Sequence, residues 1–249
     1  MRSALLPTAK AQRSEVRRHF EGCARDCTPE IVGAIIRVLY APWSPDPEVS
    51  LLCASILPEV EQRQSELFLT RADRERFLQR RAFQRYCVND ALGSADVFTG
   101  LGLAWTGKGR PYLAGRSGYS LSFSACRLGF VGAWSSTHDI GIDIEDPAGE
   151  VEDMELCRFY FEARETAAVL SLTGAERRKA FFRLWTAKEA ALKSIGEGIP
   201  HGLATFVLDL KLCPQIIQAP AAFGDVRRIQ VHLVEGTDGC TSLVSRARS

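Results

Sequence analysis

Apolar residues recur at every second position of the segment IGIDIED, residues 140–146. This two-residue period predicts a β-strand with its three isoleucines on one face. Asp143 and Glu145 share the opposite face, about 6 to 7 Å apart along the strand. Two carboxylates that close repel each other unless a cation or a hydrogen-bond donor lies between them. Two interpretations stay open here: an acid pair on the exposed face of an edge strand, or part of a cation site.

A helical period of 3.6 residues replaces this alternation in residues 70–93, where apolar positions share one face and Gly93 marks the end. Six arginines and two acids lie within residues 71–85. The arginines, Arg81 among them, concentrate on the polar face. This arginine stripe has two interpretations: a solvated helix surface, or a docking site for phosphates or for an acidic protein.

The same period predicts a helix over residues 175–195. Lys188 falls in the middle of its apolar side, a position that a lysine rarely occupies unless its ammonium reaches a partner. Trp185, Glu189 and Lys193 follow one another at four-residue spacing along the border of that side. A third carboxylate and two lysines are therefore expected where this helix meets a sheet.

The rest of the pattern mixes further strands and helices, which favours α+β or α/β over an all-helical fold. We expect helices between Thr28 and Pro42 and over residues 154–172, and strands over residues 49–57, 119–125, 128–134, 204–212 and 228–235. The segment SPDPE, residues 44–48, is typical of a linker. The expected boundaries are an N-terminal extension of residues 1–47, a compact unit of residues 48–137 and a second unit of residues 138–249.

Composition restricts the classes of partner. The 249 residues are 46% hydrophobic and carry a net charge of +1, so no global field attracts nucleic acid or a membrane surface. Eight cysteines without a C-x-x-C pair favour reduced thiols in a cytoplasmic protein. The N-terminal apolar run is too short for a signal peptide, and no stretch of eighteen apolar residues predicts a membrane span.

Three acids beside two lysines suit a hard, oxygen-preferring ion and an anionic ligand. Mg²⁺ prefers carboxylate, phosphate and water oxygens. Soft-ligand metals are disfavoured because the four histidines, at 19, 138, 201 and 232, are dispersed.

Two motifs carry a family resemblance. GIDIE at 141–145 and WTAKEAALK at 185–193, with 39 residues between Glu145 and Trp185, resemble the paired motifs of the 4′-phosphopantetheinyl transferases of the longer, Sfp-like type. GRP at 109–111 and RFYFEARE at 158–165 are similar to two further elements of that family. The resemblance covers residues from about 50 to 240.

The resemblance implies a fold and a reaction. Members of the family fold as two similar α+β halves within one monomeric chain, with coenzyme A in the cleft between the halves. They transfer the 4′-phosphopantetheine arm of coenzyme A to a serine of an apo acyl or peptidyl carrier protein and release 3′,5′-ADP. The reaction needs Mg²⁺, with Mn²⁺ as the alternative ion.

The resemblance also implies roles for individual residues. Metal ligands are expected at Asp143, Glu145 and Glu189. Phosphate or coenzyme A contacts are expected at Arg81, Arg110, Ser122, Ser124, Lys188 and Lys193. Lys188 also counts among the expected catalytic residues, and Glu189, Glu165 or a water on the metal would take the proton of the carrier serine.

One position departs from the family pattern. Phe123, within SLSFS at 120–124, occupies the place of a histidine that contacts coenzyme A phosphate in the family. Phenylalanine cannot donate that hydrogen bond, although Arg110, which replaces the usual lysine, could compensate. Phe123 supports one alternative, a catalytically silent relative that binds a carrier protein or nucleotide. A second alternative, a metal phosphohydrolase built on the D-x-E pair, lacks the extra acids and histidines that such sites generally recruit.

Overall fold

The computed structural model describes residues 8–93, 102–149, 153–196, 202–209 and 214–248. These residues form a mixed α+β structure, which confirms the expected class. The helices are α1 Ala9–Cys23, α2 Pro47–Ala54, α3 Glu59–Ser65, α4 Arg71–Leu92, α5 Asp153–Tyr160, α6 Ala163–Leu170 and α7 Gly174–Ile195. The strands are β1 Arg25–Asp26, β2 Ile36–Pro42, β3 Leu103–Trp105, β4 Pro111–Leu113, β5 Ser120–Cys126, β6 Gly129–Ser135, β7 His138–Glu145, β8 Val207–Asp209, β9 Gln215–Gln218, β10 Ile229–Leu233 and β11 Cys240–Ala247.

Residue contacts divide the chain into two compact units. The first unit contains residues 1–24 and 41–101, and the second contains residues 25–40 and 102–249. These units do not coincide with the expected boundaries after residues 47 and 137. The main reason is β2, which enters a four-stranded sheet of order β1-β2-β6-β5 and so ties part of the expected N-terminal extension to the second unit.

The first unit is helical. The strand expected at 49–57 is wrong: α2 occupies this region because Asp46 caps it, accepting from the Glu48 N–H at 2.9 Å, and Pro47 opens its first turn. The helix expected over 70–93 is confirmed as α4, which ends where Gly93 adopts a left-handed φ of 57°.

The second unit corrects the helix expected between Thr28 and Pro42. Residues 36–42 form β2, and Ile36, Val38 and Tyr40 are buried in a core. The Thr28 hydroxyl accepts a hydrogen bond from the Val38 N–H at 2.9 Å instead of capping a helix. Branched and aromatic side chains at alternate positions favour the strand.

The helix expected over 154–172 is divided into α5 and α6. Glu162 accepts from the Arg164 N–H at 2.8 Å, and the Glu165 carboxylate accepts from the Glu162 N–H at 2.9 Å. This reciprocal capping box starts a new helix at Ala163. The strands expected at 119–125, 128–134 and 140–146 are confirmed as β5, β6 and β7.

Strand β7 positions the candidate site. It pairs with β11 in a three-stranded sheet of order β10-β11-β7. Its isoleucines, Ile140, Ile142 and Ile144, are fully buried in one core, while α7 packs against the sheet formed by β7 and β11. Among the described residues no helix is both long and apolar enough to cross a membrane.

Candidate active site

The site begins with a close approach between a strand and a helix. A Cβ atom placed on Gly141 would lie 1.9 Å from the Ala190 carbonyl oxygen and 2.5 Å from the Ser194 nitrogen. Only glycine therefore lets α7 lie so close to β7. Asp143 and Glu145 occupy the same strand face two and four residues further along, so the helix border lies beside both acids.

Asp143 lies at the centre of the site and is only 4% exposed. Its Oδ1 accepts hydrogen bonds from Lys193 Nζ at 2.6 Å and from the Ser124 hydroxyl at 2.7 Å. Its Oδ2 is buried without a hydrogen-bond partner. The interpretation of this acid as an exposed group on an edge strand is therefore wrong, and one carboxylate oxygen is left without the partner that a buried acid normally has.

The two glutamates of the site hold their protons unusually well. Burial and the negative charge of Asp143 raise the pKa of Glu145 to about 7, although Lys193 and a hydrogen bond from Trp185 act in the opposite direction. Burial, followed by the charge of Asp143, also raises the pKa of Glu189. The charge of Asp143 thus acts on both glutamates, and the charge of Glu189 acts on Glu145, as expected of acids beside one cation site.

The donor chemistry fits a hard divalent cation. The buried, unpartnered oxygen of Asp143 lies near two glutamates whose pKa values are raised first by burial and then by the charge of Asp143. Within the described ranges, however, no three acid, histidine or cysteine side chains are arranged as a closed ligand set. Lys193 is the cation that lies against Asp143 in this structure.

A pocket adjoins the acids. Its lining includes three cationic side chains, Lys108, Arg110 and Lys193, and one acid, Glu189. Phe123 also lines this pocket. The excess of positive charge in its wall suits an anionic ligand, and the ring of Phe123 contributes no hydrogen-bond donor to it.

The serines of β5 connect this strand to β7. The Ser120 hydroxyl accepts from the Ile140 N–H at 3.1 Å, and the Ser122 hydroxyl accepts from the Ile142 N–H at 3.0 Å. Ser122 lines the pocket but is only 3% exposed. Its oxygen accepts from the backbone of β7, and its O–H can still donate a hydrogen bond. Ser124, two residues further, reaches Asp143 instead.

The structure corrects the expectation for Lys188 and Glu165. Lys188 is fully buried, and its Nζ lies 2.6 Å from Glu165 Oε2. The same ammonium donates to the Leu203 carbonyl at 3.0 Å and to the Phe206 carbonyl. Lys188 therefore has the partner that its apolar position demanded, and it is not among the residues that line the pocket. The ion pair is buried in the second unit, and Glu165 is only 2% exposed.

Arg81 belongs to the first unit. Its side chain is 17% exposed, lies 3.7 Å from Glu61 and covers the Phe77 ring. Arg85 contacts the same carboxylate at 2.9 Å, with 14% of its side chain exposed. This part of the arginine stripe is therefore no solvated helix surface, because it binds a buried glutamate; a contact of Arg81 with coenzyme A stays a prediction.

Sequence reasoning missed three contributors to the site. Lys108 lines the pocket beside Arg110, and the cation-glycine-cation run at 108–110 was its signal. Gly141 permits the helix to approach, although the sequence presented it as one residue of a motif. Ser120 binds the backbone of β7 and also accepts from Arg110 at 3.3 Å, for which no sequence signal existed.

Part of the chain is similar in sequence to known proteins. Residues 139–239 match the profile of the 4′-phosphopantetheinyl transferase superfamily. The protein slr0495 of Synechocystis sp. is 31% identical over 163 residues, which cover 64% of each chain. The 4′-phosphopantetheinyl transferase HetI of Nostoc sp. is 32% identical over 152 residues, covering 59% of this chain and 62% of its own. The 4′-phosphopantetheinyl transferase psf-1 of Bacillus pumilus is 32% identical over 104 residues, covering 42% of this chain and 43% of its own. The matched region thus spans less than two thirds of these relatives.

Proposed function

We propose that this chain, whose residues 139–239 match the 4′-phosphopantetheinyl transferase superfamily, transfers the 4′-phosphopantetheine arm of coenzyme A to a serine of an apo acyl or peptidyl carrier protein. The phosphoanhydride bond of coenzyme A breaks, a new phosphodiester forms on the serine oxygen, and 3′,5′-ADP leaves. The observation that carries this proposal is a cation-lined pocket that contains Glu189 and Lys193, where Lys193 also contacts the buried Asp143.

The acids would hold the divalent cation. Asp143, Glu145 and Glu189 would bind Mg²⁺, or Mn²⁺ in its place, and the ion would offset negative charge that develops on the pyrophosphate oxygens. Support comes from the unpartnered Oδ2 of Asp143 and from the raised pKa of both glutamates.

The cations of the pocket would bind the phosphates. Lys108, Arg110 and Lys193 contribute positive charge to one wall, and a guanidinium can contact two phosphate oxygens at once. Lys193 contacts both Asp143 and Ser124, so it is held beside the acids before any ligand enters. Because Lys193 is already held there, it lowers the free-energy cost of binding charged phosphates next to the acids.

Glu189 is the residue we propose for accepting the serine proton. It lines the pocket, and its carboxylate has two oxygens, so one could accept the serine proton while the other binds the cation. We propose no such role for Glu165, which is 2% exposed and lies against Lys188. Proton transfer to Glu189 would leave the serine oxygen free to attack phosphorus.

The test is a transfer assay on the whole chain. Purified protein would be incubated with coenzyme A, MgCl₂ and an apo carrier protein, and the carrier would be weighed by mass spectrometry. We expect a gain equal to one phosphopantetheine group, absent from a carrier whose acceptor serine is replaced by alanine. Asp143→Asn is the matched control on the enzyme side.

Phe123 favours one second candidate, a silent relative that binds nucleotide or carrier without transfer. Its ring lines the pocket and offers no hydrogen bond to phosphate. Binding of coenzyme A without any gain in carrier mass, across acyl and peptidyl carriers, would support this alternative. A cytoplasmic location and a monomeric state are further parts of the proposal.

A further inference from the structure

Three arginines gather around one carboxylate at the start of β7. Asp139 Oδ2 accepts from Arg246 Nη2 at 2.8 Å, and Asp139 Oδ1 accepts from Arg248 Nε at 3.1 Å. Arg110 Nη2 lies 3.7 Å from the same Oδ1. None of these side chains is more than 29% exposed, so water screens their charges only in part.

Two of the arginines hold the carboxylate in place. Arg246 also donates to the Phe223 carbonyl at 3.2 Å, and Arg248 donates to the Gly118 carbonyl at 2.6 Å. Each guanidinium therefore joins Asp139 to a main-chain oxygen elsewhere in the second unit. Burial alone would raise the pKa of Asp139, but hydrogen bonds from both arginines lower it, so the group stays charged.

The third arginine belongs to the pocket. Arg110 lines the pocket and donates from Nη2 to the Ser120 hydroxyl at 3.3 Å. Its side chain also lies over Gly196 at the end of α7, where an added Cβ would come within 2.4 Å of Arg110 Cδ. A guanidinium at a helix C-terminus is favoured by the helix dipole.

These contacts explain how three like charges remain close together. Without a carboxylate between them, the guanidinium groups of Arg110, Arg246 and Arg248 would repel one another. Among the described residues, the Arg110 side chain makes no hydrogen bond to a main-chain carbonyl, whereas Arg246 and Arg248 each make one. Removal of the charge at Asp139 would therefore release Arg110 first.

We propose that Asp139 is a positioning residue, which holds the guanidinium of Arg110 at the pocket wall and so determines how tightly the anionic end of coenzyme A binds. This inference rests on the proposed transferase function. It assigns Asp139 no contact with the substrate, and its effect passes through Arg110.

A double-mutant cycle tests the role. Asp139→Asn, Arg110→Gln and the double variant would be compared with wild type for kcat and for KM with coenzyme A. We expect Asp139→Asn to raise KM about three- to tenfold while kcat changes less than twofold. The reason is that a partly exposed ion pair would be lost that helps to bind coenzyme A equally in the ground state and in the transition state. In the Arg110→Gln background the same substitution should leave KM unchanged, because the residue it positions is gone.

An equal rise in KM in both backgrounds would overturn the proposal, since Asp139 would then act only through the fold. Melting temperatures of all variants separate unfolding from lost binding.

Measurements on the wild type separate the proposed role of Asp139 from the proposed transferase function. An active wild type with an additive cycle refutes the role of Asp139 and leaves the transferase standing. If calorimetry shows that the wild type binds coenzyme A but no carrier protein is modified, the transferase function is refuted. The double-mutant cycle is then evaluated with the Kd for coenzyme A in place of KM. A wild type that neither binds nor transfers refutes both.

Discussion

Lys193 Nζ lies 2.6 Å from Asp143 Oδ1, although fifty positions separate the two residues in the chain. The ammonium also donates to the Ser124 hydroxyl and to the Ile142 carbonyl. One residue of α7 thus joins β5 to β7 and supplies the positive charge that lets three acids lie near one another. The second oxygen of Asp143 stays buried and unpartnered, which leaves it available to a ligand.

The first prediction concerns that oxygen. Asp143→Asn should lower the rate of transfer by about a hundredfold or more, because a charged group that stabilises the transition state is lost. The fold should survive, since an amide can still accept from Ser124. Carrier mass over time and the melting temperature measure the two effects. Near-normal turnover in a well-folded variant would remove Asp143 from the proposed site.

The second prediction concerns the buried ion pair. Lys188→Ala should lower the free energy of unfolding by about 3 to 5 kcal/mol, because it leaves the charge of Glu165 buried without its partner. Urea denaturation measures this loss. Lys188→Met combined with Glu165→Gln should cost less, since neither charge remains. A stable Lys188→Ala protein with a raised KM for coenzyme A would restore the phosphate contact that the sequence suggested.

The third prediction uses two glycines. Gly141→Ala should lower the free energy of unfolding by about 2 kcal/mol or more and abolish transfer, because its methyl group would overlap the Ala190 carbonyl. Gly22, within α1, is the matched control, since an added Cβ meets nothing within 4 Å. Gly22→Ala should stabilise the protein by about 0.5 to 1 kcal/mol. Equal tolerance of both substitutions would contradict the close approach of α7.

The fourth prediction is a pH dependence. The pKa of Glu145 is about 7 in the folded protein against 4.5 for an ordinary glutamate, so the folded state binds more protons between these values. Without divalent ions, the free energy of unfolding should therefore fall as the pH rises from about 4.5 through about 7. Urea titrations in EDTA across this range measure the slope.

Two controls accompany that measurement. Glu145→Gln should reduce the slope, because the titrating group is gone. Added MgCl₂ should raise stability most at the alkaline end, where the acids are charged and bind a cation best. The same slope in Glu145→Gln would assign the titration to another group.

The fifth prediction concerns Phe123. Phe123→His should lower the KM for coenzyme A by about tenfold, because a hydrogen bond to a charged group contributes about 1.5 to 3 kcal/mol. Phe123→Leu, which keeps an apolar side chain, is the control and should leave KM within about twofold. If the histidine changes nothing, Arg110 already supplies the missing contact.

Local patterns in the sequence predicted several elements of the fold correctly. The alternation at 140–146 predicted β7, and the helical period together with Gly93 predicted α4. Lys188 was recognised as a lysine that needs a partner. These features follow from local periodicity and from the cost of burying a charge, both of which can be evaluated along one stretch of chain.

Two elements were predicted wrongly because the signal used to predict each one competed with a stronger structural preference. Residues 49–57 are rich in apolar residues, yet Asp46 and Pro47 start a helix there. Residues 36–42 pair with other strands, and that pairing outweighs the helix start suggested by Thr28. Apolar content alone does not distinguish a short strand from a short helix.

The sequence by itself determined which residue types were available: two acids on one face of a strand, Glu189 between Lys188 and Lys193 on a helix, and two cations in a loop. Only the tertiary structure decided which of the lysines reaches the acids and which enters the core. Lys193 and Lys188 differ by five positions on α7, about 140° around the helix axis, so the rotation of α7 on β7 assigns them different partners. That rotation depends on the close packing at Gly141, a contact between distant segments that no local pattern encodes.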